Sequence, residues 1–491
     1  MSFPPAANTA TLSPGARFAS AAARWSDGAL AVARDPMRLV IFALIVLNVS
    51  RVHQAYPFMA RFRPALLLVF AAAAYAFLNT RFLTRVNVMS FWPARRVALL
   101  GLVACASAVF GLSLGGSGRF ILENYSKTLI FFTLVVLSVR DVRDLYTFMW
   151  AYAVSCGVLS FMSLVMFGIT PARSGDQIAR LADMYTYDAN DVCVVLLVGL
   201  GVVLGLLTVV RGSARWALYA ILFGIAATIA KSGSRGGFLG LVAFGLGALL
   251  LLDSVSFIRR IAVLGGVLVG LSAFAPDGYW KKMASVMSPK DDYNYSSQDG
   301  RKELARRGIR YMTKFPVFGV GINNFSKAEC QLSRETFGVG RIRCGAPHNS
   351  FVQAGAETGF TGLLMFVSIV LGGIWSLLRV RRRLPRAWRR GNQAERLLFN
   401  APNALALALI GFAVSAFFVT FAWTDILYVL IGLIGGLYTS LKVYADSSQA
   451  DPNPQSAASQ LPPRGSKGWR VFASAERAAA ARQIRPAPGT T

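Results

Sequence analysis

GFTGLLMFVSIVLGGIWSLL, residues 359–378, runs for twenty residues without a charge, and RVRRRLPRAWRRGNQAER, residues 379–396, follows it directly. A helix needs roughly 20 mostly apolar residues to cross a hydrocarbon core about 30 Å thick, and a helix satisfies its backbone polar groups within itself, as lipid requires. The first stretch meets that requirement. The second places a dense block of arginine at its end, on the side of the membrane where basic residues accumulate.

The rest of the chain repeats this pattern. Hydrophobic residues make up 55% of it against 15% charged, and the mean hydropathy is +0.50, above the balance of a soluble globular protein. Apolar runs lie near residues 37–52, 64–79, 97–114, 127–139, 145–168, 192–210, 216–230, 237–252, 261–275, 359–378, 403–423 and 425–443. The expected fold class is therefore an all-α polytopic membrane protein of about twelve transmembrane helices. The fourth run is the shortest signal, since FFTLVVLSV approaches a full span only by borrowing Ser126 and Lys127.

A net charge of +28 would point to nucleic acid in a soluble chain, but here the basic residues sit where a membrane protein puts them. Arg81, Arg85, Arg95, Arg96, Arg140, Arg143, Arg211, Arg215, Arg259 and Arg260 fall in alternate connections, and the 379–396 block follows the same rule. No nucleic-acid partner is expected. The charge bias places both termini in the cytoplasm and the longest connection, residues 276–358, on the outer side between spans nine and ten. Residues 1–36 and 444–491 read as disordered basic cytoplasmic tails. Residues 37–275 and 359–443 supply the spans. Residues 1–36 lack a short apolar core with a cleavage site, so the first span reads as an uncleaved anchor.

Cys105, Cys156 and Cys193 fall inside expected spans and read as small packing residues. Cys330 and Cys344 share the outer connection and are spaced to close a short loop, although spacing alone does not fix a disulfide. No cysteine or histidine cluster has metal-ligand spacing, so neither metal nor cofactor is expected.

On the outer side, cations need a reason. Lys231 and Arg235 sit in AKSGSRGGFLG, a connection so short that the arginine stays at the membrane boundary. Ser232 and Ser234 suit helix caps, and a helix N-terminus beside a guanidinium favours phosphate oxygens; the same residues also suit an arginine that caps a helix and meets lipid headgroups. From Arg301 to Thr313 the pattern is an amphipathic helix, with Leu304, Ile309 and Met312 on its apolar face, and FPVFGVGINNF then reads as a glycine turn against the bilayer. His348, in PHNSFVQAGAETGF, is one of only two histidines and stands at the start of a short helix, a position compatible with proton transfer and with a plain loop role. Asp188, Asn190 and Asp191 open the sixth span, where they suit caps or pairs with outer arginines, and Arg173 and Arg180 lie in the same connection.

Three stretches in order, KSGSRGGFLGL at 231–241, GRKELARRGIRYMTKFPVFGVGINNF at 300–325 and PHNSFVQAGAETGFTGLL at 347–364, resemble the O-antigen ligase and O-antigen polymerase superfamily of bacterial inner-membrane glycosyltransferases. With the hydropathy layout, the resemblance covers about residues 37–443. It implies a membrane-embedded glycosyltransferase fold with a periplasmic active site and an undecaprenyl pyrophosphate glycan as donor. Carried onto this chain, Arg235 and Arg301 would contact the pyrophosphate and His348 would deprotonate or orient the acceptor hydroxyl. Lys231, Arg180, Asn349 and Glu357 would assist in binding; Glu357 would orient His348, pair with an arginine, or simply sit at a helix end. The acceptor is lipid A core for a ligase and a second lipid-linked glycan for a polymerase, with a flippase and a chain-length regulator as partners of the latter. A lipid-linked glycan transporter is the rival reading, and no internal repeat supports it.

Overall fold

In the computed structural model, residues 35–170, 180–181, 183, 186–253, 256–287, 300–337 and 344–450 are described. The basic tails expected at 1–36 and 444–491 lie outside them, except at their inner edges, and so does the side chain of Arg180. The fold is helical: α1 Pro36–Ser50, α2 Pro64–Leu78, α3 Trp92–Phe110, α4 Leu114–Ser138, α5 Val142–Met166, α6 Ala189–Leu207, α7 Ser213–Ser232, α8 Arg235–Leu251, α9 Phe257–Phe274, α10 Arg301–Lys314, α11 Phe325–Phe337, α12 Ser350–Arg383, α13 Gln393–Ser415 and α14 Asp425–Ala450. A two-residue antiparallel ladder pairs Ile169–Thr170 with Arg180–Leu181.

Among the described residues eight helices, α3–α7 and α12–α14, are long and apolar enough to cross a membrane, and α1, α2, α8 and the Leu264–Phe274 part of α9 are shorter apolar helices. These twelve occupy the positions of the twelve apolar runs. The weakest run is where the structure departs most. Helix α4 begins at Leu114 rather than near residue 127, because a single π turn at Ile121–Tyr125 carries the polar ENYSK stretch through the helix without breaking it. Helix α14 likewise continues to Ala450, past the start of the expected tail.

Alternating helices define two ends. At one, the Thr186 hydroxyl donates to Gln54 Oε1 at 2.8 Å, Ser234 Oγ to Asn190 Oδ1 at 2.7 Å, and the Ser350 amide to the Ala416 carbonyl at 2.7 Å. At the other, Arg381 pairs with Asp253 at 2.7 Å and Gln393 Nε2 donates to the Val209 carbonyl at 3.2 Å. The arginine block and the His348 region are therefore at opposite ends. Helix α6 lies at the centre, nearly all of it buried against α5, α7, α8 and α13. Its close approach to α13 depends on small residues, as in membrane bundles: a Cβ on Gly201 would lie 2.7 Å from the Ala404 carbonyl oxygen. Cys156 and Cys193 are packed here, whereas Cys105 is exposed on the outer surface of α3, contrary to its expected packing role.

Helices α10 and α11 cap the His348 end. The face of α10 that is buried consists of Leu304, Gly308, Tyr311 and Met312, and Ile309, expected on that face, is 53% exposed. Tyr311 takes its place because its hydroxyl donates at 2.7 Å to Glu329, a fully buried carboxylate that also pairs with Arg307 at 2.8 Å. Cys330 and Cys344 form a disulfide, with Cα atoms 5.0 Å apart, which joins α11 to the segment before His348.

The glycine turn after α10, expected against the bilayer, has a partner within the bundle. It is threaded into a kink of α12 at Gly359 (φ 74°), where the helical ladder is broken. The Phe360 amide donates to the Pro316 carbonyl, Val320 to Ala356 and Gly321 to Glu357, at 2.8 to 3.0 Å, so the backbone groups freed by the kink are satisfied by the turn. Gly319 (φ 67°) is required at the closest approach, since a Cβ there would meet the Glu357 carbonyl carbon at 2.4 Å.

The opposite end is held by a buried ion cluster. Asp144, fully buried in the first turn of α5, takes Arg38 Nε at 2.6 Å and Arg140 Nε at 2.9 Å, and Arg140 also pairs with Asp35. Removing the carboxylate leaves the buried Arg38 guanidinium without its partner and the partly buried Arg140 with Asp35 alone. Asp144→Ala is expected to destabilise the folded protein by about 3–5 kcal/mol, read as a large drop in the thermal midpoint of the detergent-solubilised protein; an unchanged midpoint would show that the cluster contributes nothing.

Candidate functional site

The link between α7 and α8 is two residues long. Gly233 (φ 58°) ends α7 in the left-handed region and Ser234 begins α8, its Oγ accepting the Gly237 amide at 3.0 Å while donating to Asn190 at the head of α6. Arg235 is thereby fixed at the first position of α8, with Nη1 3.3 Å from Ser285 Oγ, and Lys231 is half-buried in the last turn of α7. Asp188 caps α6, accepting the Asn190 and Asp191 amides at 2.7 and 2.8 Å, and Asp191 returns a bond to the Asp188 amide at 3.1 Å. The local capping role expected for this stretch is the one observed.

Arg301 opens α10 and faces two groups electrostatically: the Asp188–Asp191 cap and the His348 imidazole. His348 is half-buried between Pro347 and the α12 cap Asn349, whose Oδ1 accepts the Phe351 and Val352 amides at 3.0 and 3.1 Å. Asn349 thus positions the helix that carries the histidine. Burial, then the Arg301 charge, push the imidazole below its ordinary range, opposed in part by Asp188. The neutral ring is favoured, the form able to accept a proton. The structure brings Arg301, His348 and Asp188 into one electrostatic cluster at the end that also holds Arg235 and Lys231.

Glu357 is only 2% exposed and does not reach His348 by any observed bond. Its carboxylate accepts the Asn323 amide at 2.9 Å, the Phe325 amide at 3.3 Å and Trp423 Nε1 at 2.6 Å. It ties the glycine turn and the α13–α14 connection to α12. Among the described residues neither of the expected pairings, with His348 or with an arginine, is observed.

A second feature was not anticipated. A cavity of about 570 Å³ opens between the end of α1, the start of α2, the π turn of α4 and residues 420–425. It is lined by Arg51, His53, Arg63, Lys127, Trp423 and Asp425 among others. Two of these were obscured in the sequence by apolar neighbours: Lys127 appeared to belong to the start of a span and Trp423 to the end of one. The available signal was His53, the only other histidine in the chain. Among the described residues no group of three or more His, Cys, Asp and Glu side chains is placed to hold a metal ion.

With this geometry in place, residues 219–367 match the family model described as O-antigen ligase. Over this stretch the chain is similar to the O-antigen ligase family. The match begins in α7 and ends in α12, so it contains Lys231, Arg235, Arg301, His348, Asn349 and Glu357, together with the glycine turn. No curated protein matches the chain.

Because the protein has two histidines, histidine-selective NMR labelling gives two assignable signals. Both are expected to titrate below the ordinary value near 6.5, since burial lowers each and a neighbouring arginine, Arg301 for His348 and Arg51 for His53, lowers it further. Arg301→Gln removes one depressing charge, so the His348 midpoint moves to higher pH while that of His53 stays in place. A His348 midpoint that is unmoved would separate the two residues.

Proposed function

We propose that this chain is a membrane glycosyltransferase that moves a glycan from undecaprenyl pyrophosphate to a hydroxyl acceptor at the periplasmic face of a bacterial inner membrane, with both termini cytoplasmic, in lipopolysaccharide or surface-polysaccharide assembly. The observation that carries this reading is the coincidence of the ligase-like stretch with the cluster at the His348 end. Fixed cations at a helix N-terminus suit a diphosphate, and a neutral histidine beside them suits a hydroxyl nucleophile.

In the proposed reaction the acceptor oxygen attacks the anomeric carbon as the bond to the pyrophosphate oxygen breaks, which inverts the centre. His348 takes the hydroxyl proton. Arg235 and Arg301 hold the departing diphosphate, and because its negative charge grows along the reaction, their attraction is larger in the transition state than in the bound donor. The same growing charge offsets the unfavourable proximity of a newly protonated His348 to Arg301. No step calls for a metal ion. Lys231 and Arg180 are assigned to donor binding, Asn349 to holding His348 in place, and Glu357 to building the site wall. A ligase would deliver the glycan to lipid A core and a polymerase to a second lipid-linked glycan.

His348→Ala, Arg235→Ala and Arg301→Ala, expressed at equal membrane levels in a strain lacking the native protein, are each expected to reduce transfer by about 100-fold or more while lipid-linked donor accumulates. The anchor of the wild-type product, lipid A core or lipid-linked glycan, distinguishes ligase from polymerase. Wild-type transfer by all three variants would overturn the assignment.

A further inference from the structure

The cavity beside Trp423 has properties that the diphosphate cluster does not account for. Its volume of about 570 Å³ lies within the roughly 300–1,000 Å³ of ligand sites. Three cations, Arg51, Arg63 and Lys127, face one carboxylate, Asp425. Arg51 pairs with that carboxylate at 3.1 Å, and Thr128 Oγ1 donates to it at 2.5 Å, so Asp425 is already committed. Among the described residues Arg63 and Lys127 have no acidic partner within ion-pair distance. The cavity therefore carries surplus positive charge.

It also contains polar atoms that lack a partner. His53 is 7% exposed, and its Nδ1, like Arg51 Nε and Thr420 Oγ1, is buried without a hydrogen bond among the described residues. His53 lines the cavity, so an unpaired ring nitrogen stands in a residue of its wall. Buried polar atoms left unpaired are costly and call for an explanation; a ligand that bonds them supplies one.

The backbone marks the same place. Four described non-glycine residues have positive φ: Arg51 (55°), Arg63 (46°), Asn323 (59°) and His348 (44°). The first three line the cavity, and the fourth belongs to the catalytic cluster. Arg51 closes α1 and Arg63 opens α2, so the left-handed residues there mark the helix ends that frame the cavity. Around the cations stand neutral groups, the amides of Asn48, Asn124 and Gln353 and the hydroxyl of Thr424, with the Trp423 ring in the wall. A lipid headgroup needs only the cations, whereas a polyhydroxylated ligand uses the amides and hydroxyls too.

We infer that this cavity is a subsite for an anionic saccharide, the sugar partner of the transfer proposed above, and the inference rests on that reading in assigning the saccharide to that reaction. Gln353 lies on the helix that His348 precedes, and Asn323 and Trp423 both donate to Glu357, so the wall of the cavity is continuous with the wall of the cluster.

The test uses the full chain in phosphatidylcholine nanodiscs and measures binding of trigalacturonate, maltotriose and, separately, undecaprenyl pyrophosphate. Trigalacturonate is expected to bind at least about tenfold more tightly than maltotriose, as one charge-assisted bond would provide. Arg63→Gln combined with Lys127→Gln, both at solvent-accessible positions, is expected to remove that preference and leave undecaprenyl pyrophosphate binding intact, whereas Arg235→Gln does the reverse. Equal binding of the two sugars, no binding of either, or a preference that survives the double variant overturns the inference. So does loss of trigalacturonate binding when phosphatidylglycerol is added to the nanodisc, which would make the occupant a lipid headgroup. Failure of wild-type protein to bind undecaprenyl pyrophosphate counts against the donor reading alone, since the sugar arms judge the cavity without it.

Discussion

One buried carboxylate holds the His348 end together. Glu357 lies one residue-pair before the α12 kink and accepts from two amides of the glycine turn and from the indole of Trp423. A carboxylate removed from water is tolerated only when its oxygens are satisfied, and these donors come from segments distant in sequence. The turn, the kink and the α13–α14 connection therefore form as a unit. The Glu357 backbone carbonyl extends the same tie, accepting Gly321 N at 3.0 Å and Ser107 Oγ at 2.6 Å, which fixes α3 as well.

This arrangement places irregular backbone among apolar helices at little cost. The α12 kink exposes carbonyl and amide groups that lipid could not satisfy. The turn satisfies them, because Gly319 and Gly321 allow two backbones to come into contact. The short Ser350–Thr358 helix is then held by Ser350 to Ala416 and Val419, and by Gln353 to the Ala422 amide. His348 and Asn349, immediately before it, inherit this fixed position.

How much of this was legible in the sequence depended on whether the signal was local. The helical membrane fold was, since each apolar run carries its own evidence, and so were the short α7–α8 link, the Asp188 cap and the amphipathic α10. Cations and a histidine expected on one side by charge bias do lie at one end of the bundle. The errors arose where a non-local contact decided the outcome. Tyr311 displaced Ile309 from the buried face of α10 because Glu329, eighteen residues later, gave its hydroxyl a partner. The partner of the glycine turn was missed because nothing in FPVFGVGINNF announces a kink forty residues downstream. Lys127 and Trp423 were hidden in apolar runs, and only tertiary structure turns them toward a common cavity.

The two ends of the bundle treat charge in opposite ways, and the contrast bears on function. At the arginine-rich end, Arg38 and Arg140 are matched to Asp144 and Asp35 inside the protein and Arg381 to Asp253 at its surface, so these charges close upon one another and serve stability. At the His348 end, Asp188 and Glu357 are consumed by backbone and polar hydrogens, Asp425 is shared between Arg51 and Thr128, and Glu329 between Arg307 and Tyr311. Beside the cavity, Arg63 and Lys127 have no acidic partner among the described residues, so their charge is the part that an anion from outside the chain would answer.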